Sequence, residues 1–206
     1  MKTMKQRILL MATVAALALP VSLATAATVQ LHGKALFRTA ITLSATDMDF
    51  SKVDYSATPS AITDWVKLGT NDSIAANGVL SIGGGNVPLS GTVTITAGQT
   101  GETVGVKCDD GVGGNVRLAN AGGKTIDIVS TEVKDTDEGT GAFGTGHACH
   151  GVAGADATTK VLDGTDVFKF GGEILGSTES GSGGFGGQYD TSNAGGSNLQ
   201  VDIVYH

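Results

Sequence analysis

Basic residues are scarce: the chain of 206 residues carries 13 lysines and arginines against 20 aspartates and glutamates. Lys2, Lys5 and Arg7 take three of the 13, so residues 27–206 alone have a net charge of −10. A surface that acidic repels phosphate backbones and anionic lipids, which argues against nucleic-acid and membrane-surface partners. Solubility outside the cell is its simplest use. Cysteine is nearly absent as well, with only Cys108 and Cys149. No Cys-x-x-Cys pair exists, which excludes the usual structural zinc site and the Cys-x-x-Cys-His needed for covalent haem attachment. The sole tryptophan, Trp65, is read first as core and only second as a sugar-stacking ring.

Other absences bear on catalysis. There is no Gly-x-Ser-x-Gly elbow, and the serine of Gly181-Ser182-Gly183 sits in low-complexity sequence with nothing to activate it. The carboxylates are scattered, so no glycosidase pair stands out. Gly83-Gly84-Gly85 is followed by strand-like rather than helical sequence, so it is not a phosphate cradle. No enzyme activity and no cofactor are expected. Helical periodicity, internal repeats and a shift in composition are also missing, which leaves a single domain over residues 27–206, long enough to bury a core.

What is present begins with a leader. A basic start is followed by almost unbroken apolar sequence from Ile8 to Leu23 and then by Ala24-Thr25-Ala26. That is the layout of a secretory signal peptide over residues 1–26, with cleavage after Ala26. The apolar run falls short of the ~20 residues a membrane span needs and contains Pro20, and no cysteine follows it closely, so neither a membrane anchor nor a lipoprotein anchor is expected. Export to the periplasm, outer surface or medium is the expected destination.

All 32 glycines lie beyond the leader, between short runs rich in Thr, Ser, Val and Ile. Glycine-rich turns between β-branched runs predict an all-β fold, an antiparallel sandwich of the immunoglobulin-like or pilin-like kind with nine or ten strands. The clearest strand has Val29, Leu31, Gly33, Ala35, Phe37, Thr39, Ile41 and Leu43 at every second position. Further strands are predicted at 48–55, 92–97, 104–108, 115–118, 124–133 and 167–175, and at the end through Leu199, Val201, Ile203 and Tyr205. Residues 78–82 and 86–89 flank the three glycines as a predicted hairpin. Residues 135–154 and 177–197 read as long surface loops.

An even cysteine count in an exported chain predicts a Cys108–Cys149 disulfide that pins the loop around Cys149 to a strand. Closing about 40 residues stabilises by roughly 4 kcal/mol in the chain-entropy model. His147, Cys149 and His150, with Cys108, form the competing metal-ligand reading, and the spacing is too compact for a usual zinc site. Asp135-Thr136-Asp137-Glu138-Gly139 resembles the opening of a calcium loop but lacks the bidentate Glu further on, so a solvated acidic loop is expected.

Two resemblances follow. The alternating first strand, Met48-Asp49-Phe50 ahead of a glycine-rich body, and the terminal Leu199-Gln200-Val201-Asp202-Ile203-Val204-Tyr205 resemble the secreted bacterial family called domain of unknown function 4402. Ser51 stands where that family often has glycine. The ends are also similar to subunits of chaperone–usher fimbriae. Such subunits often close on a penultimate aromatic, as Tyr205 does, and carry an alternating apolar segment with an internal glycine. The second resemblance implies that Val29, Leu31, Gly33, Ala35 and Phe37 complete the sheet of a neighbouring subunit by strand addition. Pairing of that segment within its own domain is the competing expectation. The expected function is an exported structural or adhesive protein whose partners are copies of itself or other surface subunits. The alternative is a secreted glycan-binding or glycan-hydrolysing protein using the 135–154 and 177–197 loops.

Overall fold

The computed structural model describes residues 39–109, 116–149 and 155–206. The predicted leader and Val29, Leu31, Gly33, Ala35 and Phe37 lie outside the described residues, as does His150. Every strand below belongs to one compact unit, Ala40–His206. In chain order the strands are β1 (Thr42–Thr46), β2 (Val53–Tyr55), β3 (Trp65–Leu68), β4 (Ile74–Asn77), β5 (Leu80–Ile82), β6 (Gly91–Ala97) and β7 (Thr103–Asp109). They continue with β8 (Val116–Asn120), β9 (Thr125–Asp135), β10 (His147–Ala148), β11 (Thr158–Val161), β12 (Asp166–Ser180), β13 (Tyr189–Asp190) and β14 (Gln200–Tyr205). A 3-10 turn at Thr136–Glu138 follows β9, and the described residues contain no α-helix. None of their helices is long and apolar enough to cross a membrane.

The protein is an all-β sandwich of antiparallel sheets. The larger sheet runs β1-β6-β12-β9-β8-β13, with β10 also on β9 and the β3–β4 pair also on β12. A second sheet runs β11-β7-β14, and β2 pairs with β5 in a third. The 15-residue β12 organises the molecule. Its first part pairs with β6 through Phe168↔Val93, and its later part pairs with β3 through Ile174↔Val66. On its other side β9 runs past both parts, from Phe168↔Asp135 to Leu175↔Asp127. Gly171 and Gly172 sit where β12 changes partner. A Cβ on Gly172 would stand 2.8 Å from Ile128 Cγ2, and one on Gly171 would strike the Leu68 carbonyl, so glycine is what lets β9 and β3 crowd against β12 there.

Two apolar clusters form the interior. One packs Phe168, Phe170, Ile95 and Val133 of the larger sheet against Val104, Val106 and Ile203 of the second. The other packs Ile126, Ile128, Ile174, Val66 and Leu68 against Phe50 and Leu80. The alternation that predicted β6 is the burial observed there, with Gly91, Val93 and Ile95 inside. In β9 the alternation breaks because its outer face is covered too. Glu132 is buried there, and its Oε2 accepts hydrogen bonds from the N–H groups of Gly144 (2.8 Å) and Gly146 (3.0 Å) in the loop above.

Several expectations need correction. The predicted hairpin across Gly83-Gly84-Gly85 does not form. β5 pairs with β2 through Leu80↔Tyr55, and Leu89 bridges to Asp49. These pairings bring together residues about 25 to 40 positions apart, which local turn signals cannot encode. The segment predicted as one strand at 48–55 contributes only β2 as a strand. β3, β4 and β11 arise where no strand was expected, and the 177–197 loop is shortened at its start by β12 and crossed by β13.

Candidate functional site

A concavity of about 1370 Å³ is bordered by β1, the 48–53 segment, the second cluster and the approach to β14. Ile126, Ile128 and Ile174 form part of its apolar lining, joined by Val201 of β14 and by Leu199 just before it. β1 and β14 each end their sheet's strand order. Among the described strands, β1 has only β6 as a neighbour and β14 only β7. All five residues of β1 are exposed. A trough lined by both apolar and polar groups therefore lies between two terminal strands, the place where a sheet can accept another strand.

One end of the trough carries three rings. Tyr55 and Phe185 meet edge to face at 5.1 Å, and Tyr189 lies 5.4 Å from Phe185. The Tyr189 hydroxyl donates to the Phe185 carbonyl at 2.7 Å. Burial, followed by the charge of Glu179 and by Tyr55, pushes that phenol up to about 12. Beside it, Asn120, Gly122, Gln188, Asp190 and Asn193 help line a smaller hollow of about 430 Å³ that carries amide and carboxylate groups. Asn120 holds the glycine-rich loop in place: its Nδ2 donates to the carbonyls of Gly184 (3.0 Å) and Gly186 (3.2 Å).

Tyr205, the one strand-addition candidate among the described residues, lies in β14 opposite Val104. Its hydroxyl accepts the Gln99 N–H at 2.8 Å, and its ring packs against the first cluster. Cys108 and Cys149 form the expected disulfide. Cys149 is therefore not a thiolate, and the His147–Cys149–His150 metal set loses its sulfur ligand. His147 instead pairs with Glu138 through Nε2 and Oε2 at 3.0 Å. Trp65 is half-buried, with the Lys67 ammonium 4.7 Å from its ring centre.

The two long loops leave opposite ends of β9: the 135–149 loop follows Asp135, while Gly181 and Gly183 pack on the β8–β9 turn at Gly122 and Gly123. Ten residue steps of extended strand separate those ends, about 33 Å, so the loops do not share one cleft.

Sequence reasoning missed a group of charges. Lys160 lies among Asp135 (3.0 Å), Asp166 (3.6 Å), Asp163 (3.9 Å) and Asp137, its shortest contact. The hydrogen bond to Asp137 is the main reason its ammonium is held above the ordinary lysine value, with Asp135 adding to it against burial. Burial first, and then the charge of Asp163, push the Asp166 carboxyl upward. Asp135 and Asp137 were visible as acidic loop residues. Asp166 reaches them through the pairing of β12 with β9, and Lys160 and Asp163 come from β11 and the turn that leads into β12.

No protein-family model, curated protein or solved structure matches this chain.

Proposed function

We propose that this chain is an exported structural or adhesive protein of a cell surface or matrix, without enzymatic activity, that associates with copies of itself by strand addition. The segment carrying Val29, Leu31, Gly33, Ala35 and Phe37 of one copy enters the trough of the next and pairs with a terminal strand there. The observation that carries this proposal is the trough between β1 and β14, with Ile126, Ile128, Ile174, Leu199 and Val201 in its lining. A segment with apolar residues at every second position is complementary to it: one face plugs the trough, and the main chain extends the sheet. Burying each large side chain contributes about 1.5–3 kcal/mol, and each main-chain hydrogen bond adds about 0.5–1.5 kcal/mol. Export is supported by the leader-like start and by the disulfide, a bond that persists in oxidising compartments.

A peptide of residues 27–43 tests the pairing directly. Added to protein lacking residues 27–37, it binds with one peptide per chain, and a peptide with Val29, Leu31 and Phe37 changed to Asp does not. Equal binding of both peptides, or of neither, contradicts strand addition.

The Tyr55–Phe185–Tyr189 rings beside the smaller hollow support a second reading, glycan binding, because aromatic faces next to amide groups suit sugars. Titration with neutral oligosaccharides checks it: affinity lost in Tyr55→Ala favours this reading, and no affinity in the parent removes it.

A further inference from the structure

Four carboxylates surround one ammonium where the end of β9 meets the β11–β12 turn. Asp135 comes from β9, Asp137 from the 3-10 turn, Asp163 from the turn before β12, and Asp166 from β12 itself. The opposite placement of Phe168 and Asp135 across the two strands brings these segments together. One lysine against four aspartates leaves three negative charges uncompensated. Two of the four are not at the surface: the side chains of Asp135 and Asp166 are 5% and 1% exposed. Neither buried carboxylate oxygen of Asp166 has a hydrogen bond of full geometry, and the backbone N–H that approaches the group is that of Asp163. Lys160 stands 3.6 Å from the nearer oxygen, too far for a hydrogen bond. The Lys160 ammonium faces that buried carboxylate but is shared with three others, so the carboxylate's charge is only partly offset.

We propose that Asp137, Asp163 and Asp166 bind a calcium ion, with Asp135 and Lys160 forming the inner wall of the site. An oxygen can be chosen from each of the three carboxylates so that all lie within 4.8 Å of one another. Calcium accepts an irregular set of carboxylate and water oxygens at about 2.3–2.6 Å, whereas magnesium demands a near-ideal octahedron at about 2.0–2.1 Å, which three carboxylates from separate segments are less suited to supply. All donors are hard oxygens, which disfavours zinc and copper. Asp137 and Asp163 are 61% and 69% exposed, so the ion has a way in and keeps water ligands. Asp166 supplies the fixed inner ligand. Lys160 neutralises part of the charge without the ion and weakens binding with it, which places the affinity in the roughly 10⁻⁴–10⁻³ M class of extracellular calcium modules. The ion would tie the start of the disulfide-bearing loop to β12.

Thermal unfolding in EDTA, millimolar CaCl₂ and millimolar MgCl₂ tests the site on the purified protein. Calcium raises the Tm by about 5 °C, and magnesium does so by much less. Asp137→Asn, an exposed change that leaves the fold intact, removes most of the calcium shift. Asp166→Asn removes it and melts no lower than the parent in EDTA, because the buried carboxylate charge that lacks a hydrogen bond is gone while the Lys160–Asp135 pair stays. Lys160→Met melts lower in EDTA and shows a larger calcium shift than the parent. The site is overturned by no calcium shift in the parent, by equal shifts with calcium and magnesium, by an undiminished shift in Asp137→Asn, or by loss of stability in Lys160→Met that calcium does not restore.

Discussion

Cys108 and Cys149, 41 positions apart, are joined with their Cα atoms 5.1 Å from each other, and the bond runs from β7 of the second sheet to the residue that follows β10 at the border of the larger one. Cys108 lies on β7 of the smaller sheet. Cys149 is buried in the first cluster, and its N–H donates to the Thr131 carbonyl of β9 at 2.9 Å. The bridge therefore fastens the two layers and holds the end of the loop that carries Glu138 and His147. Replacing both cysteines with alanine is expected to lower stability by about 4 kcal/mol. Urea unfolding of parent and variant measures this, and a difference below about 1 kcal/mol contradicts the stapling role.

Phe168 is fully buried where β6, β9 and β12 run side by side. Phe168→Ala is expected to destabilise by about 3–5 kcal/mol. Val161, 54% exposed at the end of β11, is the control. Val161→Ala should change stability by no more than about 0.5 kcal/mol. Comparable losses for the two variants would show that the first cluster is not the core.

Asp64 caps the turn before β3. Its Oδ2 accepts from the N–H groups of Ser60 (3.0 Å) and Ala61 (2.9 Å), and its Oδ1 from Val79 (3.2 Å). Those bonds, Ala61 first, hold its carboxyl below the ordinary value of 3.8 despite its burial. A carboxyl depressed in the folded state binds its proton more readily when unfolded. Its contribution is therefore complete above the unfolded value and is lost as pH falls through the folded one. The stability gap between parent and Asp64→Ala should be constant above about pH 5 and shrink steadily below about pH 4. Chemical denaturation at several pH values checks this, and a gap that persists undiminished in strong acid would contradict it.

The elements legible in the sequence share a cause. β6 and β14 alternate strictly, and β8 and β9 flank the turn residues Asn120-Ala121-Gly122-Gly123, so each strand's own residues declare it. Trp65-Val66-Lys67-Leu68 and Ile74–Asn77 are too short to stand out, and they become strands by pairing with each other and with distant β12. The disulfide was legible because only one pairing of two cysteines exists. The trough and the carboxylate group were not. The first depends on which strands end each sheet, and the second on the register of β9 against β12. Both are long-range pairings that no local pattern carries.

Strand addition is tested most directly by the mass of the assembled protein. Size-exclusion chromatography with light scattering is run over a range of concentrations on the chain from residue 27 and on the same chain without residues 27–37. Strand addition predicts masses at multiples of one chain for the longer protein, growing with concentration, and a single-chain mass for the shorter one. It also predicts that the 27–43 peptide, preloaded on the shorter protein, blocks its incorporation into assemblies of the longer one. A longer protein that stays at the mass of one chain at every concentration would contradict it.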